Sequence, residues 1–390
     1  MTSWKTVKFG DVVRQVKDKV DPQESGLERY VAGEHMETDN LHIRSWGEIG
    51  DGYLGPAFHM RFKPGQVLYG SRRTYLRKVA VAEFEGITAN TTYIIEPKDP
   101  EVLLPELLPF IMSTERFHEH SIQQSKGSVN PYINFSDIAW YEFPLPPIDE
   151  QRRIAELLWA ADDVIEKLAA LSESINATYK ANAYKIFAEL LEGNSPIVRL
   201  DEACSRSTQS GLYKNKKFYG SGVGMVHMGE LFGNDFIDEN VELQKVSLEE
   251  KEIETFKLTE NDLLFGRRSL VLEGAGRCIY VKKMNEPVTF ESSMIRVTLE
   301  KERANNQFLF EWFRSPQGDQ SINSIRTFTT VAGVKGSDVA KLKIPLPDLE
   351  IQMEIVQQLS TIKEKIASAS NRLNQAKQLQ KTLLENSLKG

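Results

Sequence analysis

One fifteen-residue pattern occurs twice, and it dictates the layout of the chain. Pro144 to Leu158 reads PLPPIDEQRRIAELL, and Pro345 to Leu359 reads PLPDLEIQMEIVQQL. The copies are offset by 201 residues, the difference between 345 and 144. Six positions are identical: Pro144/Pro345, Leu145/Leu346, Pro146/Pro347, Gln151/Gln352, Ile154/Ile355 and Leu158/Leu359. The same offset pairs Ser136-Asp137-Ile138-Ala139 with Ser337-Asp338-Val339-Ala340. Each copy is a chain stop followed by a helix start. Prolines lack a backbone donor and fix φ, so they end the preceding element and force an extended entry. Asp149 and Glu350 then suit the positive end of a helix dipole.

Beyond each junction, apolar residues return at alternating threes and fours. The first seam runs Ile154, Leu158, Ala161, Ile165, Leu168, Ser172, Ile175, Tyr179, Asn182, Ile186. The second runs Ile355, Leu359, Ile362, Ile366, Ala369, Leu373, Ala376, Gln380, Leu383, Ser387. Sustained seams on otherwise polar helices mark coiled-coil packing, so the two helices are expected to pair with each other. The plainer alternative is two amphipathic helices, each docked on its own domain.

The globular stretches repeat as well. Gly65-Gln66-Val67-Leu68-Tyr69-Gly70 is echoed by Asn261-Asp262-Leu263-Leu264-Phe265-Gly266, and Ile87-Thr88 by Val288-Thr289. β-rich runs lie between Gly, Pro and Asp turn signals. A helix is expected from Val102 to Phe117, with Gln307 to Arg314 as its counterpart. The chain thus reads as a tandem duplication: a first globule at 1–143, a helical region at 144–194, a second globule at 195–344 and a C-terminal helical region at 345–390. Units of this size exceed those of solenoid repeats. The stretches that differ most, Lys19 to Phe62 against Ser207 to Lys257, are expected to form interchangeable reading surfaces.

Composition bounds the class. With 41% hydrophobic and 26% charged residues the chain is ordinary globular material. Two cysteines, Cys204 and Cys278, exclude a disulfide framework and point to a reducing cytoplasm. No apolar run approaches a membrane span, and the N-terminus lacks a signal-peptide core. The net charge of −7 is uneven: residues 1–143 carry 16 basic and 20 acidic side chains, whereas residues 195–344 carry 21 of each. Such a balance neither requires nor forbids nucleic acid, because a local basic surface suffices.

No catalytic constellation emerges. Asn130-Pro131-Tyr132 lacks the second proline of an adenine-methyltransferase motif and has no glycine-loop cofactor unit beside it. His118 and His120 are two apart on a helix and do not share a face, which suits a solvated surface better than a metal site. Basic and polar clusters remain. Arg72 and Arg73, with Arg77 and Lys78 behind them, follow the Gly70 turn, and Arg267, Arg268 and Ser269 follow the matching Gly266 turn. Lys214, Lys216 and Lys217 flank an aromatic pair. Lys126, Ser128 and Asn130 occupy the loop before the first junction, and Arg326, Thr327 and Thr329 the loop before the second. Arg and Lys neutralise phosphates, and Arg, Lys, Asn and Gln read base edges. Each cluster alone fits a solvated loop better; their recurrence in both halves puts DNA binding on an equal footing with that reading.

The duplicated proline–leucine–proline, acid, glutamine and apolar-helix pattern, placed centrally and C-terminally behind two variable globules, resembles the specificity subunit of type I restriction–modification systems. The resemblance covers essentially the whole chain, with Ile351 replacing the acid found at Glu150. It implies an α+β fold: two pseudo-twofold-related target-recognition domains separated by an antiparallel coiled coil whose seam includes Leu158, Ile165, Leu168, Ile175, Leu359, Ile362, Ile366, Leu373 and Leu383. It also implies a non-catalytic subunit that reads a split duplex target with two modification subunits and with restriction subunits. S-adenosylmethionine and ATP would belong only to those partners. A helix over 149–192 would reach roughly 66 Å, commensurate with half-sites about one duplex turn apart. The competing reading is a protein-interaction scaffold that binds no DNA.

Overall fold

The computed structural model describes residues 4–50, 54–328 and 330–389. The chain divides into two compact units, Met1–Ala169 with Asn371–Gly390, and Ala170–Ser370.

In the first unit, Val13–Val16, Thr92–Pro97, Val67–Gly70 and Val79–Val81 form an antiparallel four-stranded sheet in that spatial order. Val67, Leu68 and Tyr69 are all buried, so this strand is apolar without alternation, as expected when both faces are covered. A second sheet orders Gly47–Glu48, Arg29–Val31, Gly86–Ala89 and Phe58–Phe62, with Arg29–Val31 parallel to Gly86–Ala89.

The second unit repeats this plan. Gln209–Ser210, Met294–Thr298, Asp262–Gly266 and Cys278–Val281 lie in the same relative order, extended by Phe236–Ile237. Gln244–Val246, Tyr219–Val226 and Val288–Phe290 form the other sheet, again with one parallel pair, Tyr219–Val226 beside Val288–Phe290. The differences fall in the stretches that diverge in sequence. Phe58–Phe62 belongs to the first unit, and helices Met228–Gly233 and Glu250–Phe256 to the second.

The helix expected over 102–117 is two helices, Leu108–Met112 and Glu115–Gln123. Pro105 disfavours α geometry in the residue before it, whereas Pro109 sits in the first turn, where its missing donor costs nothing. Thr114 then caps the second helix, its hydroxyl accepting from the Phe117 amide at 3.3 Å. The expectation of a solvated surface for the histidines fails at His118. It packs inward, its Nδ1 has no partner, and burial pushes its pKa down to about 4. His120 is half-buried and donates to the Asp137 carbonyl at 2.8 Å.

A strand leads into each junction. Glu142–Leu145 pairs antiparallel with Lys5–Lys8, and Lys343–Pro345 with Ile197–Arg199, so the start of each globule is tied to its end. The long helices Ile148–Glu192 and Leu349–Ser387 follow. The repeated glutamine explains itself here. Gln151 Nε2 donates to the carbonyls of Val102 and Pro146, both at 2.9 Å, and its Oε1 accepts from the Leu104 amide at 2.9 Å. Gln352 donates to Arg303 at 2.9 Å and Pro347 at 2.7 Å, and accepts from the Asn305 amide at 2.9 Å. Both side chains are buried and lock the loop before the sequential helix to the helix entrance.

The long helices pair antiparallel in each unit. In the first, Gln380 donates to Asp162 at 3.2 Å, and Leu384 and Leu388 share a core with Ile154 and Leu158. In the second, Lys363 lies 5.3 Å from the Tyr179 ring centre, and Ile355 and Leu359 share a core with Ala183 and Phe187. Adding the repeat offset to Asp162 gives Lys363, and adding it to Tyr179 gives Gln380, so one pairing is present twice. Leu158, Ile165 and Leu359 are buried, while Leu168, Ile175, Ile362, Ile366, Leu373 and Leu383 are half-buried. Near its C-terminal end each stripe shifts by one position. Ala183 and Phe187 are buried where the seam was expected at Asn182 and Ile186, and Leu384 and Leu388 where it was expected at Leu383 and Ser387. A 3.6-residue turn drifts against a 3.5-residue repeat, by about 20° per heptad, which moves the buried face over four heptads.

Candidate nucleic-acid interface

The arginine turns and the polar loops, distant in sequence, meet in both units. In the first, strand Val67–Gly70 ends at Gly70, and the Ser71 carbonyl accepts from the Ile133 amide at 3.0 Å. Arg72 then bridges to Tyr132, which bridges in turn to Lys126. The Arg72 guanidinium stands 5.2 Å from the Tyr132 ring centre, a cation–π geometry that holds the charge outward. Gly127 turns the loop at φ +91°, in the left-handed region.

The second unit builds the same element as a full three-stranded sheet. The Arg267 carbonyl accepts from the Val334 amide at 3.1 Å. Arg268–Ser269 pairs with Ala332–Gly333, which pairs with Thr327–Phe328. Arg268, Gly333 and Thr327 therefore occupy the places of Arg72, Tyr132 and Lys126. Gly266 is required where the strand turns, because a Cβ there would lie 2.2 Å from the Gly274 carbonyl oxygen.

The structure sorts the candidate residues by whether their charges are already engaged. Arg77, itself left-handed at φ 51°, donates to Asp39 at 2.8 Å and grips Glu115 with two bonds of 2.9 and 3.0 Å. Lys381 and Arg77 together hold the Glu115 carboxyl down to about 2. Lys78 donates to the Gly33 carbonyl. Lys126 pairs with Asp137 at 2.8 Å, though it remains exposed. Lys214 pairs with Glu252 at 2.7 Å. Arg326 is almost covered, donating to the Ala275 carbonyl at 2.7 Å and pairing with Asp319 at 3.2 Å. Ser269 is buried, its hydroxyl accepting from the Val271 amide at 3.1 Å. These side chains brace the loops.

Arg72, Arg73, Arg267 and Arg268 are in a different state: none has an ion-pair partner among the described residues. Arg72, Arg73 and Arg268 are exposed, and Arg267 is half-buried. Lys216 is exposed, and Lys217 lies 5.0 Å from the Phe218 ring centre. Ser128, Asn130 and Thr327 are exposed, and the Thr327 hydroxyl donates to the Gly333 carbonyl at 3.1 Å. Thr329 lies outside the described residues.

Sequence reasoning missed Tyr132 as the support for Arg72, and it missed the apolar tip Leu270–Leu272 beside Arg268. Only the strand pairing brings Tyr132 opposite Arg72, and only the fold shows that Leu270–Leu272 are exposed. Among the described residues, no group of three or more His, Cys, Asp or Glu is placed to hold a metal, and no helix is long and apolar enough to cross a membrane. What the two elements offer is unpaired guanidinium charge on rigid turns, flanked by exposed amide, hydroxyl and apolar groups. That chemistry serves to bind phosphates and read base edges.

The type I restriction modification DNA specificity domain matches this sequence twice, at residues 1–177 and 198–378. The chain is 25% identical over 301 residues to the specificity subunit of the type I restriction enzyme EcoKI from Escherichia coli K12, a match covering 70% of this chain and 64% of that protein. It is 21% identical to the MjaVIII specificity subunit of Methanocaldococcus jannaschii over 99% of this chain and 92% of that one. A chain from a solved structure on complex assembly and conformational transition of the type I R-M system shares the fold, with a TM-score of 0.62, 18% identity, and coverage of 100% of this chain and 98% of that one. Two copies of one domain, in a chain whose two units repeat one plan, make this protein a member of the type I restriction–modification DNA specificity family.

Proposed function

We propose that this chain is the sequence-reading subunit of a type I restriction–modification enzyme. Residues 1–143 and 195–344 each read one half of a split double-stranded target. Residues 144–194 and 345–390, the paired helices, set the unread spacer and dock two modification subunits. Methyl transfer from S-adenosylmethionine to adenine belongs to those subunits, and ATP-driven translocation and cleavage to restriction subunits. This chain contributes no catalysis and works with them in the cytoplasm.

The observation that supports this reading is the recurrence of unpaired arginines at equivalent places, Arg72 on isolated bridges in one unit and Arg268 on a three-stranded sheet in the other. Arginine presents a fork that matches the O6 and N7 acceptors of guanine, or a phosphate. Family membership weighs against a scaffold that binds no DNA.

Co-expression with the neighbouring methyltransferase genes, followed by mapping of methylated adenines, tests the proposal. A split motif with a fixed gap is the expected result; an unsplit motif, or no new methylation, overturns it. Removing seven residues from both long helices should then shorten the preferred gap while leaving each half-sequence unaltered. An unchanged gap on a spacer series would refute the ruler role of the helices.

A further inference from the structure

The turn after Arg268 carries a feature the first unit lacks. Arg268 and Leu270 are both exposed, with the buried Ser269 between them, where the short strand Arg268–Ser269 gives way to the turn. Leu270 is 87% exposed, Val271 50% and Leu272 43%. A run of three exposed large aliphatic side chains is unfavourable on a free surface and marks a place that something covers. The run is built into the turn. The Val271 amide donates to the Ser269 hydroxyl at 3.1 Å, and the Gly274 amide to the Val271 carbonyl at 3.2 Å. Phe328, on the edge strand of the same small sheet, is exposed as well.

At the equivalent place in the first unit the residue matching Leu270 turns inward, while the next, Tyr75, is 52% exposed and aromatic. Thr74 is buried, with its hydroxyl 2.7 Å from that of Ser125 and the preceding Arg73 in the left-handed conformation. The aliphatic tip therefore belongs to the second unit's own surface and is no general feature of the turn.

We infer that Leu270, flanked by Val271 and Leu272, recognises thymine through its 5-methyl group in the major groove of the half-target that Arg267 and Arg268 face. This rests on the DNA-reading role proposed above. The exposed tip directly follows the unpaired arginine pair in the chain, so a ligand drawn to the guanidinium groups lies within reach of the leucine. Duplex DNA offers one apolar group at its major-groove edge, the thymine methyl, beside the acceptors that arginine reads.

The experiment uses the full chain assembled with its modification subunits, and duplexes carrying the mapped methylation target. Thymidines are replaced singly by deoxyuridine, which deletes the methyl and leaves every hydrogen-bonding edge unchanged. At least one replacement in the half-target disturbed by Arg268→Ala is expected to weaken binding about fourfold, the worth of one buried methyl. In Leu270→Ser that sensitivity should vanish, the thymine duplex binding no tighter than the uracil one; Leu270→Met should keep it. The inference is overturned if the wild-type complex selects its target yet ignores every deoxyuridine, or if the sensitivity survives in Leu270→Ser. It is also overturned if Leu270→Ser blocks assembly, which would make the tip a protein contact. Loss of all target preference on the thymine duplex would instead sink the DNA-reading role itself, and this inference with it.

Discussion

The buried glutamines Gln151 and Gln352 make the same three hydrogen bonds to the same kinds of groups, whereas the arginine turns of the two units agree only in their backbone. Arg72 stacks on Tyr132 beside Lys126; Arg268 faces Gly333 and Thr327 beside an aliphatic tip. The difference has a physical cause. A buried amide that satisfies two carbonyls and an amide N–H cannot be exchanged without orphaning all of them, so the junction tolerates no drift. Exposed side chains on a turn held by main-chain bonds can change at almost no cost in stability. Framework and proposed reader are thus separated by burial, within one fold used twice.

The largest effect that would break the comparison is at the junctions. Gln151→Ala and Gln352→Ala should each cost about 3 kcal/mol, since each leaves three backbone groups without a partner. Urea unfolding monitored by hydrogen exchange would show the loss in the first unit for one variant and in the second for the other. Equal loss in both units from either variant would mean that the junctions are not independent.

A smaller effect separates the units by pH. The folded pKa of His118, about 4, lies below its ordinary value of 6.5. The neutral ring is favoured by folding, so its contribution is complete above pH 6.5 and is lost as the pH falls toward 4. His42 runs the other way. Its bond of 2.6 Å to Asp162 raises it to about 9, so its contribution is complete below pH 6.5 and is lost as the pH rises through 9. In the second unit the one histidine, His227, is raised by Glu291, so it opposes unfolding in mild acid. Between pH 6.5 and 4 the first unit should therefore weaken through His118 by on the order of 2 kcal/mol. His118→Phe should abolish that acid loss, as read from exchange of the first unit's amides.

The finest effect concerns the readers. Arg72→Ala and Arg268→Ala should each reduce discrimination about tenfold, at one half-target only, with thermal stability unchanged. Binding to duplexes altered in one half at a time measures this; uniform weakening at both halves would reassign the arginines to general phosphate contact.

Much of this was legible in the sequence, for a reason seen in particular residues. Pro144, Gln151, Ile154 and Leu158 recur because buried junctions constrain residue type, so comparing the chain with itself exposes the architecture. The seam was readable up to Tyr179 and Gln380, beyond which the drift of a straight helix, invisible in a heptad pattern, moves burial to Phe187 and Leu388. The late helix start in the 102–117 segment was signalled by Pro105, whereas its break at Ser113 and Thr114 carries no proline or glycine to announce it. The reader was legible only as a set of charges. Whether an arginine is engaged, like Arg77, or unpaired, like Arg72 and Arg268, depends on acids far away in sequence: Asp39 and Glu115 lie 38 residues from Arg77.

The most direct test of a reader carried twice on one framework is an exchange. Residues 195–344 are replaced by the corresponding region of a relative, the hybrid is co-expressed with the modification subunits, and methylated adenines are mapped across a genome. A motif in which one half-sequence is new while the other half and the gap are retained is the expected result. Simultaneous change of both halves, or of the gap, would contradict it.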